Sequence, residues 1–169
     1  MRVLGIDPGI ANCGVAVLVD GRIHSLAVYR TKAAKPLATR VMDMALAIAP
    51  HFLDADRVVI ECPNFPPGRK AAAQVWASFA MAAGMARFAP GGPIASYSSQ
   101  RWRKMLGLPA IRGTTEAARR ERKRTTRALM DRHHGADEIA GRLRGFRPAG
   151  LHEHAIDALA IATAYVWFG

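Results

Sequence analysis

The chain has 169 residues and carries 24 lysines and arginines against 13 aspartates and glutamates, a net charge of +11. Half of its residues are hydrophobic and 22% are charged, which excludes a disordered or collagen-like chain and predicts one domain over residues 1–169. The excess of positive charge favours a polyanionic partner, nucleic acid before membrane.

Two cysteines, Cys13 and Cys62, are too few for a disulfide framework or a cysteine-based zinc site. The sequence opens directly into MRVLGIDPG without a charged leader, and no apolar stretch reaches the roughly 18 residues of a membrane-spanning helix. These features predict a cytoplasmic protein that does not associate with membranes.

The first third of the chain predicts three strands and a helix. Residues 3–6, 14–19 and 23–29 are rich in Val, Ile and Leu, and Asp20-Gly21 favours a tight hairpin turn between the last two runs. Apolar residues recur at helical spacing from 37 to 48. We therefore expect antiparallel strands on one side of a sheet, followed by a helix.

The remaining chain predicts two more strands and several helices. Residues 57–61 are typical of a buried parallel strand, an Ala-rich helix spans about 69–88, and a fifth strand covers 94–97. Further helices are expected at residues 98–106, 116–133 and 151–167, with a polar, Gly-rich segment at 135–150. This order predicts an α/β domain with a mixed five-stranded sheet, its first three strands antiparallel, flanked by helices.

Three carboxylates and a histidine occupy positions that this fold would bring together. Asp7 ends the first strand, Glu61 ends the fourth, and His154 and Asp157 share one face of the last helix. Functional sites in such sheets form at the carboxyl ends of strands. Crowded carboxylates repel one another unless a cation neutralises them, and their oxygen ligands suit Mg²⁺ or Mn²⁺. A pair of ions about 3.5–4 Å apart is the form suited to phosphodiester chemistry.

Each of these residues also has a structural interpretation. Asp7 precedes Pro8-Gly9, and carboxylates at strand ends often only form turns. A single histidine such as His154 is more often a helix-face residue than a ligand. Asp157 argues most strongly for function, because it is a charge inside an otherwise apolar helical pattern.

Positive charge is concentrated between residues 101 and 127, where ten basic residues stand against two acidic ones, a net +8. A like-charged run of this density destabilises its own helix unless phosphates neutralise it. A solvated helix face is the alternative interpretation, but the density of charge favours contact with DNA.

Three motifs resemble those of the RuvC-type Holliday-junction resolvases. They are RVLGIDPG with GVA at residues 2–9 and 14–16, VVIE at 58–61, and HAIDALAIA at 154–162, in this order over nearly the whole chain. The resemblance implies a ribonuclease H-like fold and a homodimer that makes paired, metal-dependent nicks across a four-way DNA junction in recombination and repair. It also implies 5′ phosphate and 3′ hydroxyl products and makes branch-migration proteins candidate partners.

The same resemblance implies the metal site. Asp7, Glu61 and Asp157 match the family's metal-binding carboxylates, with Asp7 as the bridge between two Mg²⁺ ions for which Mn²⁺ would substitute. His154 stands where many members carry a further Asp. Imidazole can ligate the second ion or take a proton from the attacking water, and both roles stay open.

The basic segments resemble two active-site lysine segments of the family. Lys104 and Lys123 are therefore candidates for contacting the scissile phosphate, with Arg122 and Arg124 as alternatives to Lys123 because the spacing is longer than in typical bacterial members. Phe65 is similar to an aromatic residue that the family stacks at the junction centre, although anchoring of its loop explains it as well. The candidate DNA-binding residues are Phe65, Arg101, Arg103, Lys104, Arg119, Arg120, Lys123, Arg124 and Arg127.

Two other functions stay open from the sequence. A ribonuclease H-like nuclease acting on other branched, single-stranded or RNA-containing substrates needs the same carboxylates but no dimer. A catalytically silent DNA-binding module would hold three buried carboxylates without a metal, at a heavy electrostatic cost. The small residues of the helix at about 69–88 suit either a dimer face or packing on the sheet.

Overall fold

A mixed sheet of five strands lies at the centre of the fold. The computed structural model describes residues 1–63, 70–91, 94–146 and 149–169. Its strands are β1 (Arg2–Asp7), β2 (Asn12–Val19), β3 (Arg22–Arg30), β4 (Arg57–Cys62) and β5 (Ile94–Ser98). They lie in the order β3-β2-β1-β4-β5, with β1, β2 and β3 antiparallel and with β4 parallel to both β1 and β5. The predicted mixed five-stranded sheet, with its first three strands antiparallel, is confirmed.

The described residues also form six α-helices. They are α1 (Leu37–Ile48), α2 (Lys70–Ala86), α3 (Ser99–Met105), α4 (Glu116–His134), α5 (Ala136–Leu143) and α6 (His152–Phe168). Short 3₁₀ helices cover Ala49–Phe52 and Ala149–Leu151. None of the described helices is long and apolar enough to cross a membrane.

The sequence analysis predicted five of these helices and missed α5. This helix begins directly after Gly135, whose φ is 86°, and it buries Ile139 and Leu143. Two apolar residues four positions apart are a weak signal in a polar, Gly-rich segment. Contacts with β3, including hydrogen bonds from the Arg142 guanidinium to two carbonyl groups of that strand, hold the helix in place.

Both faces of the sheet are covered. Val3 and Val59 face one side and pack in a cluster with Leu159 of α6. Leu4 points to the opposite side, where the cluster includes Met44 of α1. Adjacent strand residues therefore serve two separate cores, as expected for a sheet buried on both faces.

Helix α6 lies directly on β1 and β2 at two glycines. A Cβ atom at Gly5 would overlap the carbonyl oxygen of Ala158, and one at Gly14 would overlap that of His154. Only glycine allows the helix backbone to approach the strands this closely. This packing places the first turns of α6 beside the end of β1.

Gly14→Ala is expected to lower the free energy of unfolding by about 1–3 kcal/mol, because the added methyl group must push α6 away from β2. Gly84→Ala in α2 is the matched control, since no described atom lies within 4 Å of its Cβ position. The control is expected to keep or gain stability. Urea unfolding followed by circular dichroism measures both variants, and equal midpoints would contradict the packing argument.

Candidate active site

Four side chains from three elements meet at the end of β1. Asp7 is the last residue of β1, Glu61 lies near the end of β4, and His154 and Asp157 lie in the first two turns of α6. Nδ1 of His154 is 2.7 Å from Oδ2 of Asp7. The charges of Asp7 and Asp157 both act on Glu61. The structure thus brings together the four residues that the sequence analysis selected as candidate metal ligands.

Two of the carboxyl groups in this cluster resist ionisation. Burial raises the pKa of Glu61 well above its usual range, and the negative charges of Asp7 and Asp157 raise it further. Burial, followed by the charge of Asp7, raises the pKa of Asp157 to about 7. The indole N–H of Trp102 is buried without a regular hydrogen bond, yet it lies near enough to Glu61 to lower its pKa. The cluster therefore carries repulsion that an added cation would relieve.

His154 is oriented by Asp7. The hydrogen bond to Asp7 raises the pKa of His154, while burial acts in the opposite direction. Their side chains are 33% and 19% exposed, so both can be reached from solvent. Because Nδ1 faces Asp7, an external ligand or proton would use Nε2 of the ring.

The donor set fits a divalent cation in its chemistry, since carboxylate oxygens and imidazole are suitable ligands for Mg²⁺ or Mn²⁺. Within the described ranges, no group of three or more His, Cys, Asp or Glu side chains is placed to hold a metal ion as it stands. The Asp7 carboxylate instead faces His154. A cation held by Asp7 would either use its other carboxylate oxygen, Oδ1, or displace that hydrogen bond.

Helix α4 places Lys123 beside the carboxylates. The charges of Asp7 and Asp157 act on its ammonium group, which in turn lowers the pKa of Asp157. Burial and the positive charge of Arg119 lower the pKa of Lys123 itself. Lys123 also forms an ion pair with Glu153 of α6. Of the two lysines predicted for the scissile phosphate, Lys123 is the one that the fold brings to the cluster.

Helix α3 presents Lys104 and Arg103 differently. Lys104 is exposed, and it is not among the main charges acting on Glu61 or Asp157. Arg103 is only 8% exposed, and its charge lowers the pKa of both carboxyl groups. Its guanidinium donates hydrogen bonds to two threonine hydroxyl groups of α4, that of Thr126 at 2.6 Å and that of Thr125 at 3.1 Å.

The role of Arg103 as a buried counter-charge was missed by the sequence analysis, which placed it with the DNA contacts. Neighbouring basic residues in one run differ only in the helix face that they occupy. No sequence signal separated Arg103 from Lys104, because the face that becomes buried depends on where α4 packs.

A basic cavity of about 370 Å³ lies between α4 and α6 and reaches Asp157. Several predicted DNA-contacting residues line it, namely Arg120, Lys123, Arg124 and Arg127. The three arginines pair with acidic residues of α4 itself, Glu116, Glu121 and Asp131 respectively. Such surface ion pairs contribute little to stability, so a phosphate can replace them at small cost.

Three further predicted DNA-binding residues lie elsewhere. Arg101 is exposed, and its guanidinium stacks 4.9 Å from the ring centre of Tyr97. Arg119 is exposed on α4. Phe65 lies outside the described residues, and its stacking role stays a prediction.

Stability should depend on pH through Asp157. Because folding raises its pKa from 3.8 to about 7, the native protein binds more protons than the unfolded chain in this interval, and stability without cation falls as the pH rises through it. Asp157→Asn is expected to raise Tm at pH 8 by about 3–6 °C, or roughly 1–2 kcal/mol, and to flatten this pH dependence. Thermal unfolding in EDTA measures both effects.

Asp54→Asn is the control for this experiment, because Asp54 is exposed. Its Tm should follow that of the unaltered protein at every pH. A Tm profile of Asp157→Asn that coincides with the control would contradict the assigned repulsion.

Comparisons with known proteins relate the chain to one group of nucleases. No family model matches it. The crossover junction endodeoxyribonuclease RuvC of Nocardia farcinica is 28% identical over 99% of this chain and 82% of its own length. The enzyme of the same name from Saccharopolyspora erythraea is 27% identical over 99% of this chain and 77% of its own length.

Solved structures agree with these matches. Thermus thermophilus RuvC in complex with a Holliday junction substrate superposes with a TM-score of 0.71 at 23% identity, covering 99% of this chain and 94% of that one. The yeast mitochondrial Holliday junction resolvase Ydc2 gives a TM-score of 0.60 at 17% identity, covering 98% and 77%. The predicted ribonuclease H-like fold is confirmed. Over nearly its full length the chain is therefore similar in sequence to the crossover junction endodeoxyribonucleases named RuvC, and it shares the fold of a RuvC structure.

Proposed function

We propose that this protein is an endonuclease that resolves four-way (Holliday) DNA junctions by metal-dependent hydrolysis. The convergence of Asp7, Glu61 and Asp157 beside a basic cavity carries the proposal. The carboxylates suit phosphodiester chemistry, while the cavity suits the phosphates that flank the cleaved bond. The relatives named as crossover junction endodeoxyribonucleases and the structural neighbour bound to a Holliday junction support the junction as substrate.

The metal site of the proposed enzyme comprises Asp7, Glu61, Asp157 and His154. Their donor set suits two Mg²⁺ ions, with Mn²⁺ as a substitute. When bound, divalent cations stabilise charge on the phosphoryl oxygens and make an attacking water more acidic. His154 either contributes Nε2 as a ligand or accepts a proton from the water, while its Nδ1 is oriented by Asp7.

The positive side chains around the cluster have separate tasks in this proposal. Lys123 exchanges its ion pair with Glu153 for the scissile phosphate. Arg103 stays inside the protein and offsets the negative charge of Glu61 and Asp157. Hydrolysis by water then leaves a 5′ phosphate and a 3′ hydroxyl, with no covalent intermediate.

We further propose that the enzyme acts as a homodimer in the cytoplasm, with branch-migration proteins as candidate partners. Resolution of a four-way junction needs two nicks in opposing strands, and one cluster of this kind is found in the described part of the chain. Exposed hydrophobic residues on α1, Met42 at 60% and Leu46 at 68%, lie on a helix that packs beside α2. An apolar surface of this type suits association of two copies.

Asp7→Asn is expected to abolish cleavage and to leave junction binding unchanged or tighter, because a metal-site carboxylate is lost and no positive contact is removed. The assay uses purified protein with Mg²⁺ or Mn²⁺ on a four-way junction, a duplex and a single strand of matched sequence. Symmetric nicks made by the unaltered protein in the four-way junction, and in neither of the other two DNAs, would establish a resolvase. Preference for single strands or RNA hybrids, or binding without cleavage under either metal, would overturn the proposal.

Replacement of Lys123 and replacement of Lys104 should have different effects on the rate of junction cleavage. Lys123→Ala is expected to lower kcat on the junction by about 100-fold or more, as is typical when a charge-stabilising group is removed from an active site. Lys104→Ala should change kcat by less than about tenfold and act mainly through DNA affinity, since Lys104 is exposed. Single-turnover cleavage at saturating protein distinguishes the two, and equal losses would refute the assignment.

A further inference from the structure

A second cavity adjoins the Asp7–His154 pair, and the proposed mechanism does not use it. It has a volume of about 440 Å³ and lies between the loop of residues 9–12, helix α2 and His154. The basic cavity, by contrast, lies between α4 and α6. The catalytic cluster therefore has a cavity of different composition on each of two sides.

The described lining of the second cavity carries no charged side chain apart from His154, and it combines apolar residues with a few polar ones. Asn12, Gln74 and Ser78 are the uncharged polar residues of its lining. The Ser78 hydroxyl already donates to the backbone carbonyl of Gln74 at 2.8 Å, and Ser78 is fully buried. The carboxamides of Asn12 and the exposed Gln74 are therefore the groups suited to meeting a ligand.

This lining matches a nucleobase better than a phosphate. Among the described residues around the cavity, none is a lysine or arginine that would neutralise a phosphate. A nucleobase is flat and uncharged and carries donors and acceptors on its edges. Carboxamide side chains pair with such edges, and bases that are unstacked at a branch point are free to enter a pocket.

The wall formed by residues 9–12 is held in place by hydrogen bonds from Thr31. The hydroxyl of Thr31 donates to the carbonyl of Ile10 at 2.5 Å, and the Thr31 N–H donates to the carbonyl of Ala11 at 3.2 Å. A Cβ atom at Gly9 would overlap the carbonyl oxygen of Asn12, so the loop closes tightly on itself. A preorganised wall loses little entropy when a ligand binds, which favours discrimination between similar ligands.

We propose that the neutral cavity is a nucleobase subsite in which Gln74 and Asn12 select the base next to the cleaved phosphate. His154 links this subsite to the chemistry, because it lines the cavity and bonds Asp7. A base seated there fixes which phosphate of the strand lies over the carboxylates. The inference rests on the proposed junction-cleaving function and adds a determinant of sequence preference to it.

The test combines Gln74→Ala with junctions altered at single nucleotides. Alanine is a good helix former, so the variant should fold. Each nucleotide flanking the scissile phosphate is replaced by each of the other bases or by an abasic site. The unaltered protein should cleave its preferred junction about tenfold faster than the abasic one, the size expected for one well-placed pair of base-edge hydrogen bonds.

We expect Gln74→Ala to cleave the preferred junction at the rate at which the unaltered protein cleaves the abasic junction. Removal of the base should not slow cleavage by this variant any further. Gln100→Ala is the matched control, because Gln100 is exposed on α3 and does not line the cavity, and it should keep the full preference. The same base preference in Gln74→Ala as in the unaltered protein would overturn the subsite alone. Failure of the unaltered protein to cleave any junction would overturn the proposed function as well.

Discussion

The close approach of α6 to β1 and β2 is the constraint on which the site depends. Gly5 and Gly14 let the helix backbone lie directly on the strands, where any side chain would overlap a helix carbonyl. As a result, His154 and Asp157 reach Asp7, although they are far away in the sequence. A shift of α6 away from the strands would move His154 and Asp157 away from Asp7, so the geometry of the site depends on the packing of the core.

The site in turn costs the fold stability. Burial and mutual repulsion hold the pKa of Glu61 and Asp157 above their usual values, and Arg103 and Lys123 offset only part of this effect. Active sites commonly retain such strain because function requires it. Here the excess negative charge is what would attract cations and, with them, a phosphate. The ion pair with Glu153 balances the positive charge of Lys123 in this structure.

In the proposed function, two cavities beside the cluster contact different parts of the DNA. The basic cavity between α4 and α6 suits phosphates, which carry affinity but no sequence information. The neutral cavity beside α2 suits a base, which carries sequence information. Both cavities border α6, so that His154 and Asp157 lie where the two kinds of contact meet.

The sequence by itself determined the five strands, the antiparallel arrangement of the first three, five of the six described helices and the candidate carboxylates of the site. Hydrophobic period and turn residues are local signals, and a charge at a strand end or within an apolar helix is visible without the fold. Helix α5 was missed because its apolar stripe holds only Ile139 and Leu143. Only the tertiary structure decided that Arg103 faces the carboxylates while Lys104 faces solvent, and that a neutral cavity borders His154. These features arise where segments distant in sequence pack together, and local patterns do not encode which helix faces will meet.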